Sequence, residues 1–390
     1  MRKAGFPLCA AVMALSAGTS VVPGQVVAGQ EQQAPTFRAD TQLVQIDVRV
    51  TDRGGRFISG LAPEDFELLD DGEPQRIAVF SFVNIPAAKQ VDQSVASASV
   101  MKADKAEVAE GRTYVMLLDG PAGGPDHVRH MRNVARLFLD EAFGPADRMA
   151  VTFVKGKFRA QEHMVEQPFT TNRRAIEAAV DRLAPETRGV SGSGIDSVVN
   201  SYRALEEVSE RLGQMVGGRR SAVVWVGGIV PFNPADDRVF MNRAAEIAVA
   251  YRDAIRAANR HNVAIYPVDL RGLTNELSQP GILFGRGGEE LKRMAALRVV
   301  AEDTGGESVV GTNNYAKMFA QIANHTSTYY LLGYRPAAER CDGRFHAVTV
   351  RVKRPDASVR ARRGYFAPEP SGGAMRPGST KANGNTSGVC

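Results

Sequence analysis

The sequence contains little cysteine and, after its first residues, no long apolar run. Its 390 residues include three cysteines, and no group of cysteines and histidines has the spacing of a zinc site. No segment beyond the N-terminal one reaches about 18 consecutive apolar residues, so we expect no membrane span. Cys341 and Cys390 can pair if the chain lies in an oxidising compartment.

Net charge is also small, and the motifs of common catalytic sites are missing. The formal charge of +5 falls to +3 without Arg2 and Lys3, which is too little to indicate a nucleic-acid partner. His127 and His130 do not belong to an HExxH motif, GVSGSG at 189–194 lacks the Walker lysine, and no serine lies in GxSxG. We therefore expect a protein that is not an enzyme and has no cofactor.

The first 28 residues have the pattern of a secretory signal peptide. Arg2 and Lys3 form a basic start, residues 8–17 are apolar, and residues 26–28 have the small-residue pattern of a cleavage site. The alternative is an apolar N-terminus with no role in export. The signal predicts a secreted or periplasmic protein whose mature chain starts near Gly29.

Short β segments are predicted on both sides of the central region. Residues 41–50 alternate between apolar and polar side chains, as in a half-buried strand, and further strands are expected at 66–69, 77–83, 327–336 and in a hairpin over 343–366. The N-terminal segment spans 37–84 and the C-terminal segment 327–367. Two or three strands bury a core poorly alone, so we expect the two segments to pack into one small β-sandwich.

The central region, residues 112–326, alternates strands with helices. Near-continuous apolar runs predict buried strands, at 113–119, 149–154, 221–226, 262–270 and 308–310. Helices are expected between them, at 126–142, 172–183, 195–215, 238–260, 288–303 and 314–325. This alternation predicts an α/β fold with a doubly wound, mostly parallel sheet. A linker at 85–111 and a disordered tail at 368–390 complete the chain.

Several runs resemble a known family. RTYVMLLDGPAGG at 112–124, RRSAVVWVGG at 219–228 and VAIYPVDL at 263–270 together resemble a von Willebrand factor type A domain. The flanking runs at 44–82 and 329–366 resemble those of the bacterial, chiefly acidobacterial, proteins called VWFA-related. The resemblance covers roughly residues 37–367 and implies a Rossmann-like domain framed by β segments.

The resemblance also implies a degenerate metal-ion-dependent adhesion site. Members with a working site carry Asp-x-Ser-x-Ser after the first strand, a threonine before a later helix and an aspartate after a later strand. Asp119 matches the first position, but Pro121 and Gly123 replace the serines, Ser193 takes the threonine's place, and Gly227 stands where the second aspartate would be. Mg²⁺ needs six oxygen ligands in a tight octahedron, so we expect metal binding to be lost.

The predicted ligand-binding residues are therefore Asp119, Ser193 and Asp236, on an exported, metal-independent module that binds a protein or a cell-envelope partner. The alternatives are an adhesion domain that binds Mg²⁺ through substitute ligands such as Asp236, and an extracytoplasmic hydrolase. We expect Asp119 to accept hydrogen bonds from backbone N–H groups of residues 120–124 and from Ser193, and its replacement by asparagine to cost about 1–2 kcal/mol.

A basic cluster in the C-terminal hairpin has two interpretations. Valines alternate there with the charged side chains, which is typical of one solvated strand face. A face that binds a polyanion is the second interpretation. The residues concerned are Arg351, Lys353, Arg354, Arg360, Arg362 and Arg363.

Overall fold

The computed structural model describes residues 43–85, 111–120, 124–154, 165–185, 194–216, 220–227, 244–272, 286–336 and 341–368. The predicted signal peptide, residues 86–110 of the linker and residues 369–390 of the tail lie outside these ranges. Within them, no helix has both the length and the apolar character needed to cross a membrane.

The chain forms its elements in three groups. The first is four strands, β1 (Val44–Thr51), β2 (Phe66–Asp70), β3 (Glu73–Gln75) and β4 (Ile77–Asn84). The second alternates strands and helices: β5 (Thr113–Asp119), α1 (Gly124–Ala142), β6 (Arg148–Val154), β7 (Val165–Thr170), α2 (Arg173–Arg182), α3 (Gly194–Val216), β8 (Ser221–Val226), α4 (Ala244–Arg260), β9 (Val263–Val268), α5 (Arg286–Thr304) and α6 (Tyr315–Ser327). The third is β10 (Thr328–Tyr334), β11 (Phe345–Val352), β12 (Ser358–Arg360) and β13 (Gly364–Phe366).

The second group forms a doubly wound sheet, as predicted. Its strand order is β7-β6-β5-β8-β9, with only β7 antiparallel to its neighbour. Every residue of β5, β8 and β9 is buried, which accounts for their continuous apolar runs. Helices cover both faces, with one core cluster on each. The chain order reverses at β5, so a crevice opens beside its carboxyl end.

The first and third groups form two four-stranded sheets together. Their orders are β12-β1-β10-β4 and β13-β11-β2-β3, so each sheet contains strands from both ends of the chain. The inward side chains of β1 alternate with partly exposed ones, and they share a core with residues of the second sheet such as Leu68 and Tyr365. The expected fold class is thus confirmed, including the antiparallel sheets built from both segments.

The predicted C-terminal hairpin is wrong in part. β13 pairs with β11, but β12 pairs with β1 in the other sheet, so the chain crosses between sheets at 361–363. The basic residues therefore do not share one face. Arg362 is buried against Asn259, whereas Arg363 pairs with Asp303.

Buried ion pairs fix the amino end of the α/β sheet. Arg112 precedes β5 and binds Asp147, which precedes β6, with Nη2 2.5 Å from Oδ2 and Nε 3.0 Å from Oδ1. Arg220, before β8, reaches Asp47 of β1 at 2.7 Å and so ties the α/β sheet to the antiparallel sheets.

In the C-terminal segment, Cys341 is disulfide-bonded.

Candidate functional site

The candidate site lies at the carboxyl end of β5, where the strand order reverses. Asp119 is the last residue of β5, and β8 runs parallel beside it with Trp225 in register with Leu117. Residues 117 and 119 point to the same face of the sheet because side chains alternate along a strand. The indole of Trp225 and the carboxyl group of Asp119 therefore meet on the face that α3 covers.

Asp119 is held by two neutral donors. Its Oδ2 accepts hydrogen bonds from the Ser201 hydroxyl at 2.6 Å and from Trp225 Nε1 at 2.9 Å. The residue is only 6% exposed. Burial raises the pKa of Asp119 above its ordinary value of 3.8, and the two hydrogen bonds offset part of that rise. Neutral donors stabilise the ionised form less than a cation would.

The hydrogen bonds at Oδ2 can be satisfied in either protonation state. Ser201 Oγ lies 2.6 Å from Asp119 Oδ2 and 3.0 Å from the carbonyl oxygen of Ser197, and its single proton serves one of them. With Asp119 ionised, the hydroxyl donates to it. With Asp119 neutral, the carboxyl group donates to Ser201, which then donates to Ser197. Oδ1 forms no hydrogen bond to any residue in the described ranges.

Two glycines with positive φ flank the carboxyl group. Gly120 follows β5 with φ 135°, and Gly227 follows β8 with φ 115°. A Cβ atom at Gly227 would lie 1.8 Å from the carbonyl oxygen of Asp119, so the two strand ends approach too closely for any side chain at that position. The backbone thus excludes an aspartate where the resemblance places the second carboxylate.

His127 of α1 forms part of the wall next to Gly120. Its Nε2 lies 3.0 Å from the position that a Gly120 Cβ would occupy, and it is enclosed without a hydrogen-bond partner among the described residues. Burial, with a smaller contribution from His130, lowers the pKa of His127. A neutral imidazole is therefore expected near the mouth of the site. His130 instead stacks edge-on against Tyr315.

A second polar cluster lies in the antiparallel sheets. Asp70, Asp71 and His346 form the one group of three potential metal-ligating side chains found in the described part of the chain. Asp70 Oδ2 accepts from the hydroxyl group of Tyr334 at 2.9 Å. The ring nitrogens of His346 lie 2.8 Å from Asp71 Oδ2 and 3.1 Å from Asp342 Oδ1. Asp70 Oδ2, Asp71 Oδ2 and both ring nitrogens of His346 are thus already engaged in hydrogen bonds.

The structure describes one of the three site residues predicted from the sequence. Asp119 lies where expected, whereas Ser193 and Asp236 fall outside the described residues. Ser201 and Trp225 were not among the site residues predicted from the sequence. Trp225 could have been found, because it is the only tryptophan, it sits in a fully buried strand, and a buried indole N–H needs an acceptor.

Comparison with known proteins adds little to this description. No protein-family model matches the sequence, and no curated protein matches it. Among solved structures, a von Willebrand factor type A protein from Catenulispora acidiphila is 11% identical, with a TM-score of 0.34 over 85% of this chain and 76% of that one. The N-terminal domain of TFIIH p34 is 10% identical, with a TM-score of 0.29 over 55% of this chain and 97% of that one. Both TM-scores are low, so the fold described above rests on this chain's own strand order.

Proposed function

We propose that this chain is an exported, non-enzymatic interaction module built on a von Willebrand A-like domain, and that it binds its protein or cell-envelope partner without a metal ion. The hydrogen bonding of Asp119 carries the proposal. Its Oδ2 accepts from Ser201 and Trp225 in a buried setting, and burial raises its pKa. A carboxylate poised for Mg²⁺ is ionised and faces further oxygen ligands.

The residues around Asp119 supply few such oxygens. Pro121 and Gly123 have no side-chain oxygen, and the contact between Gly227 and the Asp119 carbonyl leaves no room for a carboxylate. Ser201 is the one hydroxyl group that bonds to Asp119 in the described part of the chain. If Asp119 supplied one carboxyl oxygen and Ser201 its hydroxyl group, water would have to fill most of the octahedron around Mg²⁺.

One observation favours the Mg²⁺-dependent alternative. Asp119 Oδ1 has no hydrogen-bond donor among the described residues, so it remains able to accept a cation. Ser193 and Asp236 would then have to complete the ligand set. A hydrolase has less support, because the single hydroxyl proton of Ser201 serves either Asp119 or the carbonyl group of Ser197, and no imidazole in the described ranges bonds to this serine.

Thermal unfolding in the presence and absence of metal tests the proposal. The thermal midpoint of the mature chain should be the same in EDTA and in millimolar Mg²⁺ or Mn²⁺. A ligand that binds only the native state would stabilise it by about 2.7 kcal/mol at a concentration 100 times its dissociation constant. A midpoint rise in Mg²⁺ that Asp119→Asn abolishes would establish the metal-dependent alternative instead.

Export and partner binding need separate tests. N-terminal sequencing of the protein recovered outside the cytoplasm should give a start near Gly29, and a retained Met1 would contradict export. A partner captured from cell-envelope extract should remain bound in EDTA. Release of that partner by EDTA and its return with Mg²⁺ would contradict metal independence.

A further inference from the structure

A small cavity with both charged and apolar walls lies between helix α4 and the antiparallel sheets, away from Asp119. Its volume is about 220 Å³. The last turn of α4 contributes Arg256, Asn259 and Arg260, and the crossing between β12 and β13 contributes Arg362. Apolar side chains, including Leu43 and Phe366, complete the wall. Its described lining residues thus include three guanidinium groups and no carboxylate.

Two of the three arginines have an acidic partner outside the cavity. Arg256 Nη1 lies 3.3 Å from an oxygen of Asp253, and Arg260 Nη1 lies 3.5 Å from an oxygen of Glu210. Arg362 has no acidic partner within salt-bridge distance among the described residues. The lining therefore keeps one positive charge that no described carboxylate neutralises by direct contact.

Arg362 is also the most deeply buried of the three. It is 7% exposed, and its Nη1 donates to the backbone carbonyl of Asn259 at 3.0 Å and to Asn259 Oδ1 at 3.1 Å. Its Nε is enclosed without a partner, and its Nη2 donates to no residue in the described ranges. Burial of an uncompensated charge is costly.

The carboxylate that acts on Arg362 also pairs with another arginine. Asp47 acts electrostatically on Arg362 but makes no salt bridge with it, and its Oδ2 binds Arg220 at 2.7 Å, whereas its Oδ1 has no hydrogen-bond partner among the described residues. Two buried arginines thus share one aspartate. The bonds from Nη1 are explained because Arg362 caps the carboxyl-terminal end of α4. The other two guanidinium nitrogens have no acceptor among the described residues.

We propose that this cavity binds the carboxylate group of a small organic acid, with Arg362 as its anchor. The Nη2 group of Arg362 donates to no described residue and can donate a charge-assisted hydrogen bond to a carboxylate oxygen of the ligand. The single unneutralised charge matches a monoanion better than a phosphate dianion. The apolar wall formed by residues such as Leu43 and Phe366 would contact the organic part of the ligand.

Thermal unfolding and calorimetric titration with sodium benzoate test the proposal, at an ionic strength held constant with chloride. Benzamide, a neutral molecule of the same shape, and inorganic phosphate are the controls. Benzoate should raise the thermal midpoint saturably and give a 1:1 binding heat, and benzamide should do neither. A response to benzamide equal to that of benzoate would overturn the proposal, and a larger response to phosphate would overturn the assignment to a carboxylate.

Two variants locate the binding. Arg362→Met should abolish the benzoate response, whereas Arg354→Met, on the exposed turn of the same segment, should leave it unchanged. If Arg362→Met does not fold, the half-exposed Arg260→Met is the substitute, and it should weaken benzoate binding by about tenfold, as expected for the loss of one charge-assisted hydrogen bond. An unchanged response in the folded Arg362→Met variant, or in its substitute, would overturn the proposal.

A third variant supplies the anion from within the protein. Asn259 Oδ1 already lies 3.1 Å from Arg362 Nη1, so Asn259→Asp would place a carboxylate in contact with the guanidinium. This change should raise the thermal midpoint in the absence of ligand and abolish the benzoate response. A lower midpoint with benzoate binding intact would show that Arg362 does not require an anion.

Discussion

The two ends of the α/β sheet each contain a buried aspartate, and the two are held in opposite ways. At the amino end, Asp147 is 3% exposed and receives two bonds from the Arg112 side chain and one from its backbone N–H, with a fourth from the Gly144 N–H. At the carboxyl end, Asp119 is 6% exposed and has two neutral donors on one oxygen. The two aspartates are buried to a similar degree, so they differ in how the surrounding groups compensate their negative charge.

This difference distinguishes the structural role of Asp147 from the binding role that we propose for the end of the sheet at Asp119. The charge of Asp147 is matched within the fold, and nothing further is needed there. Asp119 has no such match among the described residues, and its raised pKa means that a proton is the simplest way to remove its charge. The carboxyl end of the sheet is therefore the end at which an added ligand changes the energy most.

Removal of the cation at the amino end should have the largest effect. Arg112→Met leaves Asp147 buried without its partner, and breaking a buried pair in this way costs about 3–5 kcal/mol. Chemical denaturation measures the loss. Arg136→Met, which breaks an exposed pair with Asp181, is the matched control and should cost no more than about 1 kcal/mol. Equal losses in the free energy of unfolding of the two variants would contradict the claim that the buried pair at Asp147 matters more than an exposed pair.

An attempt to rebuild the second carboxylate should have the next largest effect. Gly227→Asp places a side chain against the Asp119 carbonyl at a backbone φ of 115°, and strain of this kind costs about 3 kcal/mol. The variant should be less stable and should still not respond to Mg²⁺. A midpoint that rises with Mg²⁺ in this variant would show that the strand ends can separate to admit a second ligand.

Removal of the carboxyl group itself should cost less. Asp119→Ala leaves the buried Trp225 N–H without its acceptor, at about 2 kcal/mol. Ser201→Ala should cost less, because the indole keeps its bond to Asp119. Tryptophan fluorescence follows both changes at the site, since Trp225 is the only tryptophan. An Asp119→Ala variant as stable as the parent would mean that water replaces the carboxyl group.

The smallest effect is expected from Asp119→Asn. The sequence-based expectation of a loss of about 1–2 kcal/mol assumed an ionised carboxylate in strong hydrogen bonds. Burial reverses the expected effect of this substitution on stability. Because the folded-state pKa of Asp119 lies above its ordinary value of 3.8, the stability of the parent falls as the pH rises from 3.8 through the folded-state pKa. At neutral pH the variant should unfold at the same temperature as the parent or slightly higher. The difference in unfolding temperature between variant and parent should shrink on acidification. A difference that grows on acidification would contradict the raised pKa.

Much of the fold follows from side-chain patterns. Strands β5 and β8 were predicted with their observed ends, because continuous apolar runs are typical of strands buried on both faces. Helix α2 was predicted at 172–183 and is observed at Arg173–Arg182, capped by the Asn172 side chain, which accepts from the N–H groups of Arg174 and Ala175. β7 was missed because it is an edge strand with partly exposed polar residues and Pro168.

The candidate site was harder to predict, since its contacts join distant parts of the chain. Asp119 was found from its place at a strand end, but Ser201 and Trp225 lie 82 and 106 residues away. Arg362 was grouped with the other basic residues of the hairpin, on a face either solvated or polyanion-binding, because valines alternate with charged side chains in that hairpin. The chain changes sheets at residues 361–363, and this crossing turns the arginine inward.

The protonation of Asp119 tests the central claim most directly. The indole N–H of Trp225 gives a single side-chain signal in a ¹H–¹⁵N NMR spectrum, and its hydrogen bond to Asp119 makes that signal sensitive to the carboxyl group. We predict that the signal titrates with a pKa above 3.8, that millimolar Mg²⁺ leaves the titration unchanged, and that Asp119→Asn abolishes it. A titration below 3.8, or one that Mg²⁺ moves to lower pH, would contradict a metal-independent site.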